Sequence, residues 1–267
     1  MEAAPSCYVP RRYLMAALLT ISNIICYADR INIGIAILEF DLSEYRAGLV
    51  LSAFFYGYIF TQIPGGWLSS RYGGKIVLLV GVIVWTFFDF ATIFAEPYFA
   101  LLMAVRIGMG LGEGVNFPSV HALSASWIPL SERSTLVTAI SSGQDLGSIL
   151  AVLLSPQIAA AWGWRGIFVA FSIAAATWAA AFALLASSRP EDHPSISREE
   201  VHLITNNRGF HHHSTDTSIL ALWRRLLRCR GVYAIILAQL GYVYGLYILL
   251  LWTPKYFTEQ FDINMSK

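Results

Sequence analysis

One segment of the chain reads R-I-G-M-G-L-G-E-G-V-N-F-P (Arg106–Pro118) and interleaves four glycines with an arginine and a glutamate. A glycine-rich nucleotide loop would follow a strand, whereas this segment lies inside an apolar run near Tyr98–Val120 without a strand before it. Closely spaced small residues in an apolar helix instead let neighbouring helices approach. Arg106 and Glu113 are seven residues apart, almost two helical turns, and therefore share one face of that helix.

The composition of the whole chain agrees with a helix in lipid. Hydrophobic residues make up 56% of its 267 residues and charged residues 13%, about half the roughly 25% of soluble domains. The mean hydropathy is +0.57. These values exclude an ordinary soluble domain and indicate a protein that lies in a bilayer.

Charge and cysteine content exclude several other classes. The formal net charge of +1 argues against nucleic-acid binding, which needs a concentrated basic face. The three cysteines, Cys7, Cys26 and Cys229, have no paired spacing, so neither a disulfide framework nor a cysteine metal site is indicated. We predict no cofactor, no metal and no catalytic residue.

Apolar runs long enough to cross a bilayer recur along the chain. A hydrocarbon core about 30 Å thick needs roughly 20 residues of helix, and lipid offers no partners for open strands. We expect an all-α polytopic protein with spans near Tyr13–Ile37, Gly48–Leu68, Ile76–Ala95, Tyr98–Val120, Leu136–Trp162, Gly166–Ala186 and Val232–Trp252.

The distribution of basic residues predicts the orientation. Lysine and arginine concentrate in cytoplasmic loops. With the N-terminus inside, twelve of them fall on the cytoplasmic side and four outside, while Arg30 and Arg106 lie within spans. We therefore expect a cytoplasmic N-terminus at 1–12, a six-helix bundle at 13–187, a cytoplasmic loop at 188–231 and the start of a second bundle at 232–267.

Charged residues inside the spans are the main indication of function. Each costs about 2.5–3.5 kcal/mol at a lipid-facing helix centre, so they must face one another or water, and their default interpretation is functional. The set comprises Asp29, Arg30, Asp89, Arg106, Glu113 and Asp145.

A purely structural role is the alternative for these charges. Arg30 with Glu113, or Asp29 with Arg106, could form ion pairs that only hold the first and fourth spans together. Asp89 has no partner on its own helix, and we interpret it as a structural or interfacial residue. Two ion pairs are a costly means of packing helices that small residues could pack, which favours function.

The chemistry of the set fits a cation-coupled anion carrier. Arginine binds carboxylate or phosphate in a bidentate manner. Nearby carboxylates can take up protons, and each proton removes a negative charge that repels the anion. Cation and anion then favour one another's binding reciprocally.

Several motifs, in order, resemble the anion:cation symporter family of the major facilitator superfamily, which includes phosphate, sialic acid, vesicular glutamate and sugar-acid transporters. The resemblance covers nearly everything from Tyr13 onward. Its strongest stretches are Y-A-D-R-I-N (Tyr27–Asn32), S-A-F-F-Y-G-Y-I-F-T-Q-I-P-G-G (Ser52–Gly66), Arg106–Pro118, W-I-P-L-S-E-R-S (Trp127–Ser134) and S-G-Q-D-L-G (Ser142–Gly147).

The resemblance also implies roles for individual residues. It implies an anion site formed by Arg30, Arg106, Tyr58 and Gln144, with Asp29 and Glu113 coupling transport to H⁺ or Na⁺. The expected partners are a small anionic substrate, the coupling cation and the lipid bilayer.

Two departures from the family pattern stand out. Ser70 replaces the acidic residue of the second inner loop, so we hypothesise inner-gate pairs among Arg71, Lys75, Glu132 and Arg133. Family members have about twelve spans, whereas these residues supply one six-helix half and the seventh span. We therefore expect transport to need a C-terminal half or a second chain.

Two other classes of protein remain possible from the residues alone. A seven-span receptor fits the number of spans, but it normally has its N-terminus outside. An intramembrane hydrolase would need catalytic groups within the spans, and His121 is the only histidine near one. A non-transporting fragment is a further alternative.

Overall fold

The computed structural model describes residues 10–206 and 227–261, and the regular structure within these ranges is helical. The all-α fold class predicted from the sequence is thus confirmed. The helices are α1 (Arg11–Ala36), α2 (Glu44–Tyr72), α3 (Gly74–Ala95), α4 (Phe99–Glu113), α5 (Asn116–Trp127), α6 (Arg133–Leu185), α7 (Arg198–Asn206) and α8 (Arg230–Phe261).

Five of the described helical segments are long and apolar enough to cross a membrane. The fourth predicted span, near Tyr98–Val120, corresponds to α4 and α5, which are separated by a short break at Gly114–Val115. The five segments are Arg11–Glu39, Glu44–Tyr72, Gly74–Ala95, Arg133–Leu185 and Arg230–Leu249.

The 53-residue helix α6 contains both the fifth and the sixth predicted spans. Ile140 O accepts a hydrogen bond from Asn23 Nδ2 at 2.9 Å, and Trp178 Nε1 donates to Leu18 O at 3.0 Å. In a straight helix, these two positions of α6 would lie about 57 Å apart, yet both contact the same part of α1. The chain reverses at Gly163, whose φ of 72° and ψ of 170° are non-helical and whose missing Cβ permits the positive φ.

The glycines of the fourth span pack α4 against two neighbouring helices. A Cβ on Gly110 would collide with the carbonyl oxygen of Phe54 in α2, and one on Gly112 would lie 2.6 Å from the backbone nitrogen of Trp85 in α3. The interpretation of these glycines as helix-packing residues therefore agrees with the structure.

Gly110→Ala is expected to destabilise the bundle by about 1–3 kcal/mol, because its methyl group must displace the backbone of α2. Thermal unfolding of the purified chain in detergent would measure the loss. Gly66→Ala is the matched control, because a Cβ there meets only Pro118 at an ordinary 3.7 Å. Equal stabilities of the two variants would contradict the packing role.

The N-terminus of α1 is capped by a residue far away in the sequence. Pro10 provides no side-chain cap, which leaves the first backbone N–H groups in need of acceptors. The carboxylate of Glu200 in α7 accepts from the backbone nitrogens of Arg11 at 3.1 Å and Arg12 at 3.0 Å. A negative group is favourable there because helix dipoles point their positive end to the N-terminus.

The chain divides into two compact units, and the boundary between them along the sequence falls within the predicted central loop. The first unit contains α1 to α7, and the second contains α8. Within the first unit, the segment after α6 packs onto the bundle, since Trp127 Nε1 donates to Ser187 O at 2.9 Å. The proposed loop at 188–231 also contacts the bundle near its start, where the ring centroids of His193 and Trp127 are 5.7 Å apart; its residues 207–226 lie outside the described residues.

Candidate functional site

The centre of the first unit contains a buried ion pair between α1 and α4. The Nη2 and Nε atoms of Arg30 donate to Oε2 of Glu113 at 2.7 and 3.1 Å. Arg30 is 3% exposed and Glu113 is fully buried. The thiol of Cys26, one turn before Arg30, donates to the same carboxylate oxygen at 3.4 Å. Of the two ion pairs considered from the sequence, the structure thus contains this one.

Three aromatic rings surround the guanidinium group of Arg30. Its Cζ lies 4.8 Å from the ring centroid of Tyr27, 4.9 Å from that of Phe54 and 4.8 Å from that of Tyr58. Such cation–π contacts strengthen when water is excluded. Tyr27 and Tyr58 are half-buried, so these two rings form the boundary between the buried arginine and the exterior of the unit.

Arg106 lies on the other side of the same aromatic cluster. Its Cζ is 5.5 Å from the ring centroid of Phe54, and its Nη1 donates to the sulfur of Met109 at 3.0 Å. The side chain is 1% exposed, and its Nε has no hydrogen-bond partner among the described residues. A thioether is a weak acceptor, so this guanidinium group has donors available for a stronger one.

The adjacent residue Asp29 faces away from Arg30, towards α3. Both of its carboxylate oxygens are buried without a hydrogen-bond partner among the described residues. Asp89 of α3 is also fully buried; its Oδ2 accepts from Ser172 Oγ at 3.0 Å. The expected link of Asp89 to a neighbouring helix is therefore present, and Asp29 forms no ion pair of 4.0 Å or less with Arg106.

Two further residues singled out from the sequence, Gln144 and Asp145, lie on α6. Gln144 is half-buried, next to Gly143, which packs against Thr20 and Asn23 of α1. Asn23 precedes Arg30 by seven residues, about 10 Å along α1. Asp145 is exposed, unlike the other five charges assigned to the spans.

Sequence reasoning missed three residues that contact Arg30. Cys26, Tyr27 and Phe54 all lie within the quoted motifs or one turn from them, but none carries a charge that would mark it in an apolar span. The spacing offered one signal: Cys26 precedes Arg30 by four residues and therefore lies on the same helical face.

The predicted inner-gate residues form other contacts. Glu132 accepts from Arg12 through both oxygens, at 2.8 and 3.0 Å, and Arg12 also pairs with Glu200 at 3.3 Å. Arg71 is exposed and lies 5.4 Å from the ring centroid of Trp67. Two further residues have different surroundings: the Nζ of Lys75 donates to Ala183 O at 2.8 Å, and Arg133 is half-buried.

A double-mutant cycle is expected to give about 1 kcal/mol of coupling between Arg12 and Glu132, because their geometry is bidentate and partly shielded. The measurement is the thermal stability of the purified chain with Arg12→Gln, Glu132→Gln and both changes. The same cycle with Arg71→Gln should give no coupling. If Glu132 showed coupling energy with Arg71 and none with Arg12, Glu132 would have a different partner in solution from the one in the structure.

Taken together, these contacts define a helical membrane protein with a cluster of buried charges at the centre of its first unit. Two arginines and three carboxylates lie in the interior, where lone charges are rarely tolerated unless they serve a function. Residues 19–266 match the model of the Major Facilitator Superfamily, and the chain belongs to that family.

Curated relatives with similar sequences are named as anion transporters. The chain is 35% identical to the chloroplastic ascorbate transporter of Arabidopsis thaliana over 97% of its own length and 48% of the relative. It is 33% identical to the chloroplastic sodium-dependent phosphate transport protein 1 of the same plant, over 97% and 51%. The chain thus spans about half the length of the curated relatives it matches. The resemblance found in the motifs is confirmed.

Solved structures support the fold. A bacterial homologue of the human lysosomal transporter Spinster, in an inward-facing and unoccupied conformation, superposes with a TM-score of 0.76 at 18% identity. The match covers 97% of this chain and 58% of that structure. A D-xylose–proton symporter gives a TM-score of 0.58 at 19% identity, over 67% of this chain and 49% of that structure.

Proposed function

We propose that the protein carries an anion across a membrane by alternating access, with H⁺ or Na⁺ as the coupling cation. The observation that supports this most directly is the buried pair of Arg30 and Glu113 beneath Tyr27 and Tyr58. Arg30 is an anion-binding group whose partner is an internal carboxylate. Such a carboxylate can be exchanged for the carboxylate or phosphate of a substrate.

The mechanism follows from competition between Glu113 and the substrate for one guanidinium group. With Glu113 ionised, Arg30 donates to Glu113 and a substrate anion meets a negative charge. When Glu113 takes up a proton, that charge is lost and Arg30 is released to the substrate. Arg106, across the ring of Phe54, provides the second cationic contact, while the hydroxyl groups of Tyr27 and Tyr58 provide hydrogen bonds.

The substrate class follows from arginine chemistry. The guanidinium group of an arginine binds a carboxylate or a phosphate through two parallel hydrogen bonds. A site with two guanidinium groups therefore suits a small organic acid or inorganic phosphate. Relatives named for ascorbate and for sodium-dependent phosphate transport fall within this class. Gln144, on α6 beside the part of α1 that precedes Arg30, would provide a further polar contact to the substrate.

The remaining sequence predictions complete the proposal. We infer a cytoplasmic N-terminus from the excess of basic residues on that side. The pair of Arg12 and Glu132 then belongs to a cytoplasmic gate, with Arg71, Lys75 and Arg133 exchanging partners when the site opens. A second half of the transporter, or a second chain, would complete the pathway, because such carriers bind substrate between two repeats.

Uptake into proteoliposomes tests this function. The complete reading frame of the native transcript is expressed, purified and reconstituted, and radiolabelled ascorbate and phosphate are offered separately with an inward gradient of H⁺ or Na⁺. We expect accumulation of at least one anion that collapses when the gradient is dissipated. Uptake of neutral sugars and no uptake of either anion would refute the proposal.

A further inference from the structure

An apolar groove lies between α3 and the part of α6 that follows Gly163. Its volume is about 630 Å³, and ligand sites in proteins typically measure roughly 300–1,000 Å³. From α6 the groove is lined mainly by small side chains, such as Ala176 and Ala180, whereas α3 contributes larger, exposed ones, such as Ile83 and Phe87. The groove therefore results from an alanine-rich helix face next to a face of large residues.

The chemistry of the lining indicates an apolar occupant. Among the described residues, the lining includes no charged side chain, and its two polar members are Thr86 and Ser172. The hydroxyl group of Ser172 is engaged, since it donates to Asp89 at 3.0 Å. A polar ligand in this groove would leave its own hydrogen-bonding groups largely unsatisfied, which is costly. A hydrocarbon chain carries no such cost.

One end of the groove is basic. Lys75 lies one helical turn before Leu79, the first lining residue of α3, and its Nζ donates at 2.8 Å to the carbonyl oxygen of Ala183, the last lining residue of α6. Lys75 forms no ion pair with a described residue, and an ammonium group has three donors. Arg71, four residues earlier in the chain, is exposed. Basic pockets between membrane-spanning helices are typical sites for anionic lipid headgroups.

The length of the groove matches one leaflet of a bilayer. Both helices belong to segments long and apolar enough to cross a membrane. From Lys75 to Phe90, the last lining residue of α3, the helix rises by about 22 Å. Half of a bilayer about 40–45 Å thick, headgroups included, is roughly 20–22 Å. A lipid whose headgroup lies at Lys75 therefore has acyl chains long enough to reach along the whole groove.

We propose that this groove binds one anionic phospholipid, with the phosphate group at Lys75 and an acyl chain between α3 and α6. Lys75 provides charge-assisted hydrogen bonds to the phosphate, and Arg71 adds positive charge near the headgroup. The alanines of α6 leave the space that the chain fills. This lipid site is separate from Arg30, Arg106 and Glu113, and it does not depend on the proposed transport function.

A simpler role for Lys75 is to cap α6. The last carbonyl groups of a helix lack partners within it, and lysine side chains often bind them. Such a cap explains the contact with Ala183, but it gives Lys75 no preference for an anionic lipid and no connection with the groove. The two roles therefore predict different results for lipid binding.

The test counts the lipids that the purified full chain retains. The chain is purified in a neutral detergent, freed of native lipid and mixed with equal amounts of phosphatidylglycerol and phosphatidylcholine that carry identical acyl chains. Native mass spectrometry then measures the occupancy of each lipid. We expect phosphatidylglycerol to be preferred about fivefold, the effect of one basic residue on an anionic lipid near the membrane surface.

Two variants separate the headgroup contact from the groove. Lys75→Gln is expected to reduce the preference to about twofold or less, because the remaining basic residue is not at the groove. Ala180→Leu should lower the occupancy of both lipids, because the larger side chain fills the groove. Arg46→Gln controls for charge, since Arg46 is exposed at the other end of α2. Ala174→Leu controls for volume, since Ala174 is exposed on α6 outside the lining.

The outcomes decide between the lipid site and the cap. Equal retention of the two lipids by the unchanged chain refutes the site, and so does an unchanged occupancy in Ala180→Leu. A Lys75→Gln chain that melts at a lower temperature but keeps the preference shows that the lysine is only a cap. Displacement of phosphatidylglycerol by an equal concentration of glycerol 3-phosphate, which has no acyl chain, would exclude the groove from binding. If Lys75→Gln does not fold, Ala180→Leu and its control decide.

Discussion

Replacing Arg106 with alanine is expected to weaken anion binding by a hundredfold or more in the complete protein. Removing one partner of a desolvated charge pair costs about 2–5 kcal/mol, and about 3 kcal/mol is roughly a hundredfold in affinity. Arg106 is 1% exposed, so water does not screen its contact with a bound anion. Competition between labelled and unlabelled anion in proteoliposomes would measure the affinity.

The thermal stability of the variant is measured beside its anion affinity, because removing Arg106 takes a positive charge away from the buried carboxylates. Among the described residues, its Nε has no hydrogen-bond partner and its Nη1 donates to the sulfur of Met109, so removal breaks no strong hydrogen bond. Arg106→Lys should recover only part of the affinity, because the ammonium group of lysine keeps the charge but cannot make two parallel hydrogen bonds to the anion. Arg165→Ala, at an exposed arginine, is the control. Anion binding of normal affinity in Arg106→Ala would exclude Arg106 from the site.

The spans could be predicted because bilayer thickness sets the length of an apolar run. The reversal near Gly163 was also foreseeable, since the fifth and sixth runs together exceed one crossing and a glycine lies between two tryptophans. The break between α4 and α5 was not, because glycines recur along the whole span and nothing in the local sequence marks Gly114 as the end of α4. The residue that begins α5 contacts another helix, since Asn116 Nδ2 donates to Asn23 Oδ1 of α1 at 3.0 Å, and the local sequence does not predict that contact.

The residues of the candidate site could be identified from the sequence, whereas their contacts could not. Charges in apolar runs identified Arg30, Arg106, Asp29 and Glu113, because their cost in lipid demands a role. The sequence alone did not decide which arginine pairs with which carboxylate. Asp29 and Arg30 are neighbours in sequence, yet one helical step turns them by about 100°, so Arg30 meets α2 and α4 while Asp29 faces α3.

Asp89 illustrates the limit of reasoning along one helix. It was interpreted as structural because α3 offers it no partner of its own. The structure shows that its partner is Ser172 of α6, 83 residues further along the chain. Residues so far apart in the sequence become neighbours only through the fold, so the pattern of α3 alone could not identify this partner.

Glu113→Gln is expected to remove the pH dependence of anion binding and to abolish uphill accumulation. In the unchanged protein, lower pH protonates Glu113, frees Arg30 and tightens anion binding, by up to tenfold per pH unit for one linked proton. Glutamine keeps the shape of the side chain but has no charge to lose. The variant should therefore bind with nearly constant affinity, within about twofold, across the same pH range.

The measurement is the apparent anion affinity between acidic and neutral pH, paired with accumulation under an imposed H⁺ gradient. The variant should still exchange labelled for unlabelled anion at equal concentrations, because Arg30 and Arg106 remain, while a gradient no longer drives accumulation. Glu96→Gln is the matched control, since Glu96 forms its ion pair within the described residues with the exposed Arg165, at 3.8 Å. A Glu113→Gln protein with the original pH dependence would place the coupling proton elsewhere, and Asp29, the other carboxylate that the family resemblance assigns to coupling, would be the next residue to replace.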